Sequence, residues 1–194
     1  MQTINPEISK AKFNEELQLF LSCEEVHRKR GILLLKSEFP DIILSFSATQ
    51  INPAVHVFAV RINYDNYDLQ PLSVRFINPF TWENLHSMPT PLMPRKIVNE
   101  EGIVTEYMDL VQKDLVGLPF ICLPGIREYH EHPAHTGNSW LLHRKCAGEG
   151  TLGFLIEKFY EFGIATINSF STLINFQVQI PNIQLGYDKN AIPT

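Results

Sequence analysis

The chain has 194 residues, 44% hydrophobic and 19% charged, with a net charge of −5. Those values suit one globular domain that buries a full core without disulfide or metal staples. The acidic balance, relieved only by the basic run HRKR at 27–30, argues against a nucleic-acid binder. No apolar run approaches the roughly 20 residues that span a bilayer.

The first predicted element is a helix. Asn5 suits its N-cap and Pro6 its first position. Phe13, Leu17, Phe20 and Leu21 repeat at i, i+4, i+7 and i+8 along one face. Cys23 lies near that face and is expected to be buried. The HRKR run complements the helix dipole as a solvated end, and Gly31 stops the helix. Four strands follow at 32–37, 41–48, 55–62 and 72–77, joined by short links rich in Pro and Asn. Consecutive strands with short links predict an antiparallel meander. A helix followed by a meander makes the fold class α+β.

The stretch 78–96 holds four prolines and is expected to be irregular surface chain. Val104, Met108, Val111 and Leu115 predict a helix over 102–117. LPFI at 118–121 reads as a buried strand. A C-terminal helix is predicted over 150–167, capped by Thr151, with Leu152, Leu155, Ile156 and Phe159 as its apolar stripe. A further strand is expected near 175–180. The expected organisation is one domain over 1–180 and a tail at 181–194.

The chain has three cysteines, Cys23, Cys122 and Cys146. Their odd number and wide spacing, and an N-terminus without the apolar core of a signal peptide, predict reduced thiols in the cytoplasm.

The chemistry concentrates in CLPGIREYHEHPAHTGNSW at 122–140. Thiolate, carboxylate and imidazole together are the ligand set of a borderline metal such as Zn²⁺. The candidate ligands are Cys122, Glu128, His130, His132 and His135. In an extended segment His130 and His132 project to one side. Cys122 is also a candidate nucleophile, at a strand-to-loop junction with histidines downstream to activate it. The bland alternative is a small buried residue ending a strand. Tyr129 and Trp140 are expected to be packing anchors, and Arg127 beside Glu128 a surface pair.

The order of helix, four-strand meander, proline-rich stretch, cysteine-bearing loop and helix resembles the ubiquitin-conjugating-enzyme (UBC) fold over residues 6–167. FAVRINYDNYDLQPLSVRFINPFT at 58–81 is similar to that family's third strand, turn and fourth strand. FICL at 120–123 is similar to the segment that carries its cysteine. CLPGIREYHEHPAHTG resembles a predicted metal-binding family named for a Cys-Glu-His-His pattern, which is encoded beside bacterial ubiquitin-like proteins and their activating enzymes. That likeness implies Cys122, Glu128 and two of His130, His132 and His135 as ligands of Zn²⁺.

Together the resemblances imply a UBC-like component of bacterial ubiquitin-like conjugation, with phage defence as a setting. Its implied partners are a ubiquitin-like protein and the activating enzyme, with no nucleic acid and no membrane. Cys122 would accept the modifier, assisted by His130. A zinc-stabilised binding module of the same pathway is the alternative. The His-Pro-Asn that precedes the cysteine in conjugating enzymes has no counterpart, since His132-Pro133-Ala134 follows Cys122.

Overall fold

The computed structural model describes residues 4–88, 95–135, 137–144, 148–169 and 171. The expected strand near 175–180, the tail at 181–194 and Cys146 lie outside them. Helix α1 runs Pro6–Ser22, and the Asn5 side chain accepts from the Glu7 N–H, as its N-cap assignment predicts. A short helix α2, Glu24–Lys29, follows a break at Cys23. That break turns Cys23 outward, so the thiol expected to be buried is exposed. The basic run is ion-paired, Arg28 with Glu24, Lys29 with Glu25 and Arg30 with Glu157. Gly31 then turns the chain at φ +83, where a Cβ would stand 1.9 Å from the Ser47 carbonyl oxygen.

Strands β1 (Ile32–Glu38), β2 (Asp41–Ala48), β3 (Val55–Asn63) and β4 (Ser73–Ile77) form one antiparallel sheet in the order β1-β2-β3-β4. The protein is therefore α+β, with the four-stranded meander that its sequence pattern predicts. Register aligns Ile42, Ile62 and Val74 in one row, then Leu44, Val60 and Phe76, then Phe46 and Phe58. All eight side chains are at most 1% exposed. Each contributes about 1.5–3 kcal/mol by leaving water. Helix α5 (Leu152–Phe159) covers this face, where Phe159 meets Phe46 and Phe58 edge-on at 5.5 and 6.1 Å. A π-helical turn continues it over Tyr160–Ile164. Thr151 caps α5 by accepting from the Phe154 N–H.

The stretch 102–117 is not helical. Strands β5 (Arg95–Val98) and β6 (Val104–Met108) pair as a hairpin, and β7 (Val111–Lys113) pairs antiparallel with β8 (Pro119–Ile121). Val104 and Met108 fit a four-residue period and a two-residue period equally well. Local turn chemistry decides between them. The Asn99 side chain accepts from the Glu101 and Ile103 N–H groups before Gly102 at φ +78, and Asp114 does the same for Val116 and Leu118. Strand β8 is fully buried, as LPFI predicts. No helix among the described residues is long and apolar enough to cross a membrane.

Candidate functional site

Cys122 follows β8 directly. Its N–H donates to the Leu110 carbonyl at 2.6 Å, which fixes the chain as it leaves the hairpin. Leu123, Pro124 and Gly125 then turn it, and a bridge between Leu72 and Ile126 ties the next segment to the start of β4. Gly125 adopts φ +90, and a Cβ there would lie 2.5 Å from the Gly150 nitrogen, so the turn requires glycine. Beyond it the segment expected to be extended contains helix α3 (Arg127–Glu131), a 3₁₀ turn at Pro133–His135 and helix α4 (Trp140–His143). Because α3 is helical up to Glu131, His130 and His132 do not share a side as they would on a strand.

The 3₁₀ turn returns His135 to Cys122. Their Sγ and Nε2 atoms are 3.1 Å apart. Cys122 is only 2% exposed, and burial pushes its thiol up from the ordinary cysteine range. Burial and the nearby His132 hold the His135 imidazole below the usual histidine value. Both shifts favour a neutral thiol beside a neutral imidazole at neutral pH. The Tyr129 ring stacks on His135 at 3.9 Å and 19°.

The other candidates are engaged elsewhere. Glu128 is 4% exposed and crosses to β4. There it accepts from the Ser73 hydroxyl and from the Val74 N–H at 3.0 Å, and it pairs with Arg75 at 3.3 Å. It is therefore not half of a surface pair with Arg127, whose guanidinium reaches the carbonyls of Asp65 and Pro71. His130 accepts from the Gly125 N–H at Nε2, 3.1 Å away, and its Nδ1 lies 2.7 Å from the Asn138 carbonyl. That pairing assigns the proton to Nδ1. His132 accepts from the Ala134 N–H, and its ring centre is 5.7 Å from that of His135.

This arrangement does not fit a Zn²⁺ held by Cys122, Glu128 and two histidines. Both Glu128 oxygens and both His130 nitrogens already have partners in the fold. Among the described residues no three His, Cys, Asp or Glu side chains converge as a metal-binding group. Chemically, what the loop assembles is a thiol–imidazole pair.

A cleft of about 210 Å³ opens beside α3, lined among others by Arg75, Asp114, Leu115, Val116, Glu131 and His132. A second cavity, of about 640 Å³, lies between α1 and the start of α5 and is lined by none of the candidate residues.

Residues 4–167 match the Y4jH-like family, described as the Y4jH family. The chain belongs to that family. A relative from Sinorhizobium fredii (strain NBRC 101917 / NGR234), bearing the name "Uncharacterized protein y4jH", is 36% identical over 176 residues. The alignment covers 84% of this chain and 85% of the relative. The span matched to the Y4jH family contains Cys122, Glu128, His130, His132 and His135.

The sequence pattern alone assigns no role at the site to Arg75 or Asn138. Arg75 is one residue of an alternating strand, and its link to Glu128 is a long-range contact. Asn138 had a local signal, since Asn next to Gly is a frequent turn residue. Tyr129 and Trp140 are buried, as packing anchors should be.

Proposed function

We propose that this Y4jH-family protein is a UBC-like component of a bacterial ubiquitin-like protein conjugation pathway, in which Cys122 accepts the modifier as a thioester. The observation that carries the reading is the 3.1 Å approach of Cys122 Sγ to His135 Nε2. The order of elements supports it: a helix, a four-stranded meander, a long connection, a short buried strand, then the cysteine and a helix. His135, rather than His130, stands next to the thiol and takes the role of base.

In the proposed step the thiol proton passes to His135 Nε2 as Sγ attacks the C-terminal carbonyl of the modifier. The modifier arrives as a thioester on its activating enzyme. The bond to the activating enzyme's sulfur breaks, and that sulfur leaves with the electron pair and receives the proton. A neutral imidazole is the form this step needs, and burial favours it. Because Cys122 is 2% exposed, docking of the partner has to uncover its sulfur while His135 stays beside it. A zinc-stabilised module is the less favoured reading, since Glu128 and His130 are committed to backbone and β4 partners.

The test mixes the purified protein with a ubiquitin-like modifier charged on its activating enzyme. A covalent adduct that thiol reductants release, and that Cys122→Ala abolishes, is the expected result. His135→Ala should slow its formation by about 10²-fold or more, the usual share of a general base. No adduct, or one that survives Cys122→Ala, overturns the reading. Stoichiometric zinc that disappears in Cys122→Ser would favour the module instead.

A further inference from the structure

We infer that Tyr129 and Asn138 are positioning residues that hold the His135 imidazole with Nε2 facing Cys122. The inference rests on Cys122 and His135 being the working pair. The bond that sets the direction of an imidazole ring joins tetrahedral to planar carbon, and its torsion has a broad, shallow preference. Left to itself, His135 would sample orientations in which Nε2 misses the thiol. The ring is instead stacked face to face on Tyr129, 3.9 Å away and tilted by 19°. To rotate, the imidazole has to leave that surface.

Tyr129 is itself tied down. It is 9% exposed, and its hydroxyl accepts from the Asn138 side-chain amide at 2.9 Å. Asn138 also fixes the turn that carries His135. Its N–H donates to the His135 carbonyl at 3.2 Å, and its own carbonyl lies 2.7 Å from His130 Nδ1. His130 in turn accepts from the Gly125 N–H in the turn after Cys122. The contacts therefore run from the turn at Gly125 through His130 and Asn138 to Tyr129, and through its ring to His135. Each is local to the segment 122–138, so the pair is aligned by the loop that bears it. Holding reacting groups in register is itself a large part of rate enhancement.

The test uses the full chain and a small probe, iodoacetamide. Alkylation of Cys122 is followed across pH by mass spectrometry of the Cys122 peptide, which separates it from Cys23 and Cys146. The shape of the profile is the readout, because access to a buried thiol scales every rate alike. The wild type is expected to show a His135-assisted limb at neutral pH that His135→Ala removes. Tyr129→Leu should lose about tenfold of the rate at pH 7, a modest part of a base's usual contribution, and its neutral-pH limb should shrink toward the flat profile of His135→Ala. Tyr129→Phe keeps the stacking face and loses only the bond from the Asn138 amide, so it should keep the limb, weakened to the same extent as in Asn138→Ala. Asn138 is exposed, so Asn138→Ala provides a readout should Tyr129→Leu fail to fold, and it should weaken the limb without removing it.

A folded Tyr129→Leu whose profile superimposes on the wild type overturns the inference, as does an unchanged Asn138→Ala when Tyr129→Leu is unfolded. If His135→Ala leaves the profile unchanged, the pairing of Cys122 with His135 fails, and the positioning role fails with it. If His135→Ala flattens the profile and a folded Tyr129→Leu does not, the pairing of Cys122 with His135 stands and the positioning role fails.

Discussion

In Glu128→Ala the contacts that join α3 to β4 are removed together. The Val74 N–H, on a residue with no exposure, loses its acceptor. An orphaned buried donor costs about 1–3 kcal/mol. Arg75 loses one of two carboxylates and keeps Asp114 at 2.5 Å, so its charge is not stranded. The Ser73 hydroxyl is half-buried and turns to water. Breaking a buried ion pair from one side costs about 3–5 kcal/mol when nothing compensates. With Arg75 still paired, a loss of about 2–4 kcal/mol is expected. For a chain of this size each kcal/mol lowers Tm by about 2–4 °C. Urea denaturation monitored by tryptophan fluorescence measures it, because both tryptophans, Trp82 and Trp140, belong to the folded region. A loss below about 1 kcal/mol, the range of surface substitutions, refutes the assignment of Glu128 as a brace. It would return the carboxylate to the list of candidate ligands.

Gly125→Ala forces a side chain into φ +90 and sets a Cβ 2.5 Å from the Gly150 nitrogen. Strain and overpacking together should cost about 2–4 kcal/mol in the same denaturation assay, and a neutral outcome would mean that the two turns are not back to back. In the proposed step His135 assists only while its imidazole is neutral. Because its folded value lies below the ordinary 6.5, that assistance should be complete at pH 7 and lost as pH falls below the usual histidine range. The same sign governs stability, since protonating His135 is disfavoured in the folded state. Its contribution is present above the unfolded value and disappears on acidification through the folded one. Stability curves of wild type and His135→Gln from pH 8 to 5 should therefore converge toward the acid end. In the native protein Cys23, exposed at the break between α1 and α2, should react with a thiol reagent at once, and Cys122 should lag far behind. Equal rates would contradict the burial of Cys122.

The sheet was legible because its signals are local and repeated. Ile42, Leu44 and Phe46 alternate, prolines and asparagines mark the links, and the four strands were delimited to within a residue or so. The caps at Asn5 and Thr151 were equally local. The strands at 104–113 were not legible, because Val104 and Met108 satisfy two periods and the turns built on Asn99 and Asp114 decide the outcome. The site was half legible. The composition of 122–140 singled out the segment in which Cys122 and His135 meet, and the sequence cannot say which of three histidines returns to the thiol. That depends on α3 and the 3₁₀ turn, which direct His130 to backbone partners and His135 to Cys122. The fate of Glu128 was decided 54 residues away, at Val74.

The central claim is that the Cys122 sulfur carries the modifier, and the most direct measurement is intact-mass spectrometry of the protein after incubation with a charged activating enzyme. The account predicts a mass increase equal to the modifier less one water, mapped to Cys122 and reversed by hydroxylamine. Unmodified protein under conditions where the activating enzyme is fully charged, or an adduct mapped to any other residue, would contradict it.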